Sequence, residues 1–385
     1  MEENSKSVIT VNTSLAKIEK QIAIGEKIIN KTIEELFNKA FRLINSKKID
    51  IDSNYNYLSD FLKDETLLDS EKFSFVVQNE EDYIQALELF DKIIELNGSF
   101  KLAYYFKGIV LQRIHLIEES INFISRAIEI DKEFIMAIVK RVELLEEKFE
   151  FDLALNDCNN LIIFKPDCAE FYHTRANVLF SLDKKIESIN DYNISLELDN
   201  TNIRVYNNLG RTYKSLGNDK LAKENFNKAI RLVEENVIVD NKNAKFHYYI
   251  GYAKWQLDEF TTSLESLNKA IQINSDYESA INIRAIVNKE LNNHIEAIND
   301  YKKYLELNPL DFITYNSLGF LYYQKTREFE KAKDCFTKAI DLNHSKSNPT
   351  YKNSHYFRSN VRKILGDVNG SNEDYMVYQK FETKN

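Results

Sequence analysis

From residue 101 onward the alternation of apolar and polar positions repeats every 34 residues. The blocks Lys101–Phe134, Ile135–Cys168, Ala169–Asn202 and Ile203–Asn236 abut without gaps. Seven extra residues, Val237–Asn243, precede Ala244–Tyr277 and Glu278–Asp311; Phe312–Lys346 carries one inserted residue, and Lys352–Asn385 ends the series. A weaker copy, Leu67–Phe100, stands in front, giving about nine units. Each unit holds two apolar stripes at helical spacing, which predicts a pair of helices joined by a short turn.

Three positions explain how such a pair would pack. Position 8 is small in most units (Ser74, Gly108, Ala176, Gly210, Gly251, Ala285, Gly319, Ser359), with Val142 the large exception. Position 20 is Ala or Ser throughout, from Ala86 to Ser371. Small residues at both places let two helices cross closely. Position 24 supplies the bulk between them, as in Phe90, Ile124, Tyr192, Phe226, Leu267, Tyr301, Phe336 and Tyr375, with Cys158 in the unit of Val142. Pro166 and Pro309 both fall at position 32, where proline stops the second helix. Arginine at position 7 (Arg141, Arg175, Arg284, Arg358) occurs in the same four units as aspartate at position 23 (Asp157, Asp191, Asp300, Asp374). That correlation predicts an ion pair inside each of the four units.

The period resembles that of the tetratricopeptide repeat, W-x2-L-G-x2-Y, then A-x3-F, then A and P. The units reading YNNLGRTY…AKENF…A (Tyr206–Ala229) and YNSLGFLY…AKDCF…A (Tyr315–Ala339) carry the resemblance most fully. It covers about four-fifths of the chain. It implies an all-α, right-handed α-solenoid of about nine helix-turn-helix units over residues 67–385, and a concave groove that binds other proteins.

Residues 1–66 do not fit the repeat. The first 13 or so look disordered, and an apolar stripe from Leu15 to Ile44 predicts a long helix capping the first repeat. A self-association helix is the other reading of this stripe, against which Gly25 interrupts it. The final unit reads as the opposite cap, with a polar outer face, because Arg362 stands where the pattern calls for an aromatic and Gly366, Gly370 and Asn372 thin its second helix.

Composition narrows the function. The chain is 43% hydrophobic and 29% charged, enough to bury a core, and its nine glycines and three prolines suit a mostly helical fold. A net charge of −9 argues against a nucleic-acid or membrane-surface binder. No signal peptide or membrane-spanning run is visible, and Cys158, Cys168 and Cys335 have neither metal nor disulfide spacing, so a monomeric cytoplasmic protein is expected. There is no phosphate loop, nucleophile elbow or metal motif. An enzyme is therefore not expected, nor any cofactor or metal; His344 and His355 read as loop residues.

In the resembling family, positions 2, 5, 6, 9, 12 and 13 of the first helices line the groove. Carried onto this chain, they give Asn177; Arg204, Asn207, Asn208, Arg211 and Lys214; Lys245, Tyr248, Tyr249, Tyr252 and Trp255; then Asn282 and Asn316. The set is basic and rich in amides and rings within an acidic chain. Amides can pair with an extended peptide backbone and cations with a carboxylate. The expected function is a non-catalytic scaffold or adaptor holding an acidic or carboxylate-bearing segment of a partner protein. Two alternatives stand beside it: self-assembly through the N-terminal helix and convex face, and a co-chaperone-like carboxylate clamp. For the clamp, His173, Asn177, Asn208, Lys245 and Tyr249 match three of five family positions by type, and lack its Lys and Arg. In FHYYIGYAKWQL, positions usually given to packing rings hold His247 and Lys254, while the rings fall on the groove side, awaiting a ligand or covered by Val237–Asn243.

Overall fold

A computed structural model of the chain describes residues 26–44, 80–237, 242–343 and 349–382. The expected disordered start, the segment 45–66, the first helix of the leading repeat, residues 238–241 and His344 lie outside them. No strand occurs among the described residues. They belong to two compact units, Met1–Leu198 and Asp199–Asn385, divided in the turn that ends the block Ala169–Asn202.

The first unit comprises α1 (26–44), α2 (Glu80–Leu96), α3 (Lys101–Arg113), α4 (Ile117–Ile130), α5 (Ile135–Glu147), α6 (Phe151–Phe164), α7 (Ala169–Ser181) and α8 (Lys185–Leu198). The second comprises α9 (Ile203–Ser215), α10 (Asp219–Val237), α11 (Ala244–Gln256), α12 (Phe260–Ile273), α13 (Glu278–Glu290) and α14 (His294–Leu307), then α15 (Phe312–Leu321), α16 (Phe329–Leu342), α17 (Pro349–Ile364) and α18 (Val368–Glu382). Each unit is all-α and built by stacking antiparallel helix pairs, the solenoid architecture expected from the repeat.

The turn inside each pair is chemically uniform. Among the described residues its middle residue is left-handed in all eight pairs: His115, Phe149, Asp183, Gly217, Asp258, Asn292, Arg327 and Gly366 have φ between 57° and 85°. The next amide then reaches back to the last turn of the first helix, as Leu116 does to Leu111 and Glu150 to Leu145, satisfying carbonyls the helix end would orphan. Only two of the eight are glycine, so six turns hold a side chain where L-residues are strained.

Packing follows positions 8 and 24. A Cβ on Gly210 would lie 2.8 Å from Phe226, and one on Gly251 2.7 Å from Leu267, so the helices approach at these glycines. Val142 is tolerated because position 24 of its unit is the small Cys158; both are fully buried. Position 20 does more than stay small. Ser120 Oγ donates to Gly108 O (2.7 Å), Ser188 to Ala176 O (2.8 Å) and Ser263 to Gly251 O (2.7 Å), tying the two helices together.

All four Arg–Asp pairs form. Arg175 donates Nε and Nη2 to Asp191 at 2.7 and 2.8 Å, and Arg141, Arg284 and Arg358 repeat the fork. The remaining Nη1 crosses to position 25 of the preceding repeat: Ser125 (3.1 Å), Asn159 (2.9 Å), Asn268 (2.9 Å) and Thr337 (3.1 Å) for Arg141, Arg175, Arg284 and Arg358. The arginine thus bridges two repeats as well as two helices, which the within-unit correlation did not show.

Irregularities in the period are absorbed locally. The residue inserted in Phe312–Lys346 widens the end of α15 into a π turn, Tyr322–Thr326. Ahead of the seven-residue insertion α10 runs on to 19 residues, ending at the insertion's first residue Val237, against 14 in α12. At the N-terminal end, Phe37 and Phe41 of α1 are fully buried, with ring centroids 5.4 and 5.3 Å from Phe106 of α3.

One expectation fails in the last repeat. His355 is not a loop residue: it is buried in α17 with Nδ1 2.7 Å from Asp374 Oδ1. Burial alone would raise the Asp374 carboxyl, but hydrogen bonds from His355 and Arg358 hold it below the ordinary carboxylate range. Along α18 the polar Asn372, Glu373, Gln379 and Lys380 are exposed together with Tyr375 and Met376. Arg362 turns inward, donating to Gly370 O and Asp374 Oδ2, both at 3.0 Å.

Candidate functional site

In the second unit the first helices α9, α11, α13 and α15 carry most of the candidate groove residues. Two start with an asparagine cap: Asn202 Oδ1 accepts the amide of Arg204 (3.1 Å) and Asn243 Oδ1 that of Lys245 (3.0 Å). The caps fix where the helices begin, and Arg204 and Lys245 are left exposed at those ends.

Asn207, one turn into α9, is only 3% exposed, and neither atom of its amide has a hydrogen-bond partner among the described residues. Leaving a buried amide unmet costs about 1–3 kcal/mol per group, so it has to be offset elsewhere. Asn208 beside it is half-buried. Arg211, a turn further on, hydrogen-bonds the Tyr252 hydroxyl of α11. Lys214 closes the row by donating to Gln256 O and facing Asp258 Oδ1 at 3.5 Å, where it caps the C-terminus of α11.

The rings of α11 form a continuous cluster. Tyr248 lies 5.4 Å from Tyr249, 6.2 Å from Tyr252 and 5.2 Å from Tyr277, and Tyr252 lies 5.6 Å from Trp255. All five are half-buried, with Tyr248, Tyr252 and Trp255 packed against the apolar cluster of Leu267, Ile283 and Val287. Burial raises the phenols of Tyr248, Tyr252 and Tyr277, so the cluster is neutral at physiological pH. His247 is buried on the other side of the helix. The rings are therefore partly covered by the next repeat and partly open. Tyr277 was missed from the sequence, because it stands at the last position of its unit rather than on a first helix.

The remaining candidates are placed apart. Asn282 is half-buried on α13. Asn316 accepts from Ser354 Oγ (2.8 Å), which ties its helix to the last repeat. Asn177 belongs to the first unit, where Tyr192 Oη donates to its Oδ1 (2.6 Å) and His173 Nε2 lies 3.4 Å from its Nδ2.

Burial pushes the thiols of Cys158 and Cys335 up to about 12, which keeps them protonated. No group of three metal-ligating side chains occurs among the described residues. No helix among them is long and apolar enough to cross a membrane.

Comparison with known proteins agrees with this architecture. The tetratricopeptide repeat family model matches residues 203–236, 244–277 and 313–345. A TPR repeat-containing protein of Methanocaldococcus jannaschii is 22% identical over 240 residues, covering 60% of this chain and 41% of its own. The Hsp70-Hsp90 organizing protein of Triticum aestivum is 21% identical over 271 residues, covering 69% of this chain and 44% of its own. The chain thus spans less than half the length of these relatives. Among solved structures, a chain of the APC/C hetero-tetramer Cut9–Hcn1 superposes with a TM-score of 0.53 at 16% identity, over 91% of this chain and 66% of that one, which shows the fold alone. The 34-residue period, the small-residue crossings and these matches lead to one conclusion: residues 203–236, 244–277 and 313–345 of the second unit are tetratricopeptide repeats.

Proposed function

We propose that this protein is a non-catalytic scaffold whose second unit holds an extended, acidic or carboxylate-bearing segment of a partner protein. The tetratricopeptide repeat is generally an interaction fold, and that supports the scaffold reading. The observation that carries the peptide reading is Asn207, a buried amide with an unmet donor and an unmet acceptor. An extended main chain offers one of each. Arg204, Asn208, Arg211 and Lys245 lie on the helices around it to draw a carboxylate, and the rings from Tyr248 to Trp255 give a flat, low-entropy contact for apolar side chains. Asn282 and Asn316 extend the polar row along later repeats. Free cysteines suit a reducing cytoplasm as the setting.

The test is a peptide array of acidic, neutral and basic decamers, each with free and amidated C-termini. Preferential capture of acidic peptides, lost in a Tyr249→Ala, Trp255→Ala double variant, supports the proposal. Capture without charge preference, or unchanged in that variant, contradicts it.

Self-assembly through the N-terminal helix fits less well. Its largest apolar side chains, Phe37 and Phe41, are already buried against Phe106.

A further inference from the structure

The tripeptide Asn-Gly-Ser occurs twice, at Asn97–Ser99 and at Asn369–Ser371, and the fold holds the two copies differently. Asparagine before glycine is prone to lose its side-chain amide, because a residue without Cβ lets its backbone nitrogen close on the preceding Cγ. Whether that happens depends on how the nitrogen is held.

Asn97–Ser99 makes the turn between α2 and α3, with Gly98 and Ser99 exposed. Asn97 Oδ1 accepts from Ser99 N (3.1 Å) and Ser99 Oγ (2.9 Å), so two donors draw charge toward that oxygen. Neither Asn97 Nδ2 nor the Gly98 amide has a hydrogen-bond partner among the described residues. The carbon under attack is polarised, the departing amine is unheld and the attacking nitrogen is uncommitted. In the second copy Asn369 and Gly370 lie in the first turn of α18. Gly370 is buried there and its amide donates to Asp367 Oδ1 (2.9 Å).

The equivalent turns between other repeats show which product fits. Asp131 and Asp199 stand where Asn97 does, and their Oδ1 atoms accept the amides of Glu133 (3.0 Å) and Thr201 (2.9 Å). Thr201 Oγ1 repeats the Ser99 hydroxyl contact at 2.6 Å. Aspartate is thus already the natural alternative to asparagine in this turn. Asn274 makes the same turn to Asp276 N (3.2 Å), but serine follows it. Asn308 is followed by Pro309, which has no amide hydrogen, and its Nδ2 donates to Glu278 (3.1 Å).

We propose that Asn97 is a site of spontaneous covalent modification, independent of the peptide reading above. The Gly98 nitrogen attacks Asn97 Cγ, the Cγ–Nδ2 bond breaks, and ammonia leaves with the Gly98 amide proton, closing a five-membered imide. Water then opens the ring at either carbonyl. Opening at Cγ gives aspartate in an unaltered chain. Opening at the α-carbonyl gives isoaspartate, whose main chain runs through Cβ and Cγ. Both products add a negative charge between α2 and α3. Aspartate keeps the turn seen at Asp199. Isoaspartate lengthens it by one carbon and displaces Gly98 O, which accepts from Tyr104 Oη of α3 (3.1 Å), so it loosens the start of that helix.

The test incubates the full chain at pH 8 and 37 °C and follows the change from amide to acid by mass spectrometry. The tryptic peptides Ile93–Lys101 and Ile364–Lys380 separate the two copies. Asn97 is expected to convert at least 10-fold faster than Asn369, giving both acids, with Asn274 and Asn308 also slow. In concentrated urea the two Asn-Gly rates converge, because the difference lies in the fold. Gly98→Ala slows Asn97 10-fold or more. A sample enriched in isoaspartate melts below wild type, whereas Asn97→Asp melts with it. Equal native rates at the two copies, a ratio that persists in urea, unslowed conversion in Gly98→Ala, or an unchanged melt of the isoaspartyl form overturns the proposal.

Discussion

Arg284 joins Asp300 of its own repeat through two hydrogen bonds of 3.0 and 2.6 Å and gives a third, of 2.9 Å, to Asn268 of the repeat before. One guanidinium thus fixes both a helix pair and its neighbour, and Asp300 is nearly buried. Arg284→Ala should destabilise the second unit by about 2–4 kcal/mol, because it strands a buried carboxylate. Asn268→Ala should cost only about 1 kcal/mol. Lysine at 284 should not rescue, since it lacks the planar fork. Urea unfolding of the single and double variants gives the coupling energy; additive losses would mean that the two contacts are independent.

The close approach at position 8 makes a second prediction. Gly210→Ala places a methyl 2.8 Å from the Phe226 ring and should cost about 1–3 kcal/mol. Adding Phe226→Leu should recover part of the loss, as the natural pairing of Val142 with Cys158 already shows a large residue answered by a small one. Thermal melts of the two variants decide it: no recovery would show that the backbone, not the side chain, limits the crossing.

Much of this fold could be read from the sequence because a repeat states the same constraint many times. Position 8 is small wherever position 24 is bulky, and Arg175 accompanies Asp191 because neither can be buried alone. The Arg–Asn159 bond went unread because position 25 varies among Ser, Asn and Thr and belongs to a different repeat. His355 was misplaced for a related reason. It follows the segment 344–348 in sequence, but its ring sits over the buried Asp374, a partner 19 residues away. At the candidate site the types of residue were legible, whereas their commitments were not. Lys214 was grouped with ligand cations although it caps α11, and Asn207 looked no different from Asn208 until burial separated them.

Phe149 holds a left-handed conformation at φ 61° with its ring exposed beside Phe151. A bulky residue is strained there by roughly 1 kcal/mol or more. Phe149→Gly should therefore raise stability by a few tenths to about 1 kcal/mol, the gain being reduced by the greater freedom of glycine in the unfolded chain. Differential scanning calorimetry would show a higher melting temperature for the variant; a lower one would mean that the Phe149–Phe151 contact outweighs the strain.

Burial, helped by the neighbouring Glu143 charge, raises the Glu146 carboxyl from 4.5 to about 7. A group with a raised folded value contributes stability that is complete below its unfolded value and is lost as pH climbs through the folded one. The window is therefore pH 4.5 to about 7, with wild type weaker at the upper end. Glu146→Gln should be nearly neutral at pH 4 and stabilising at pH 8, by on the order of 1–2 kcal/mol after allowance for its partial exposure. Urea midpoints at the two pH values test this, and a gain of equal size at both would remove ionisation as the cause.

The proposed acidic-peptide site of the second unit lies beside Asn207 and the ring cluster, and the single tryptophan of the chain sits in that cluster. Titrating the full chain with the acidic decamer that scores highest on the array, while following Trp255 emission, tests this directly. The predicted result is a saturable spectral change with an affinity that falls at least 10-fold in Asn207→Ala and with rising salt. Saturable binding that leaves Trp255 emission unchanged and is indifferent to Asn207→Ala would contradict it.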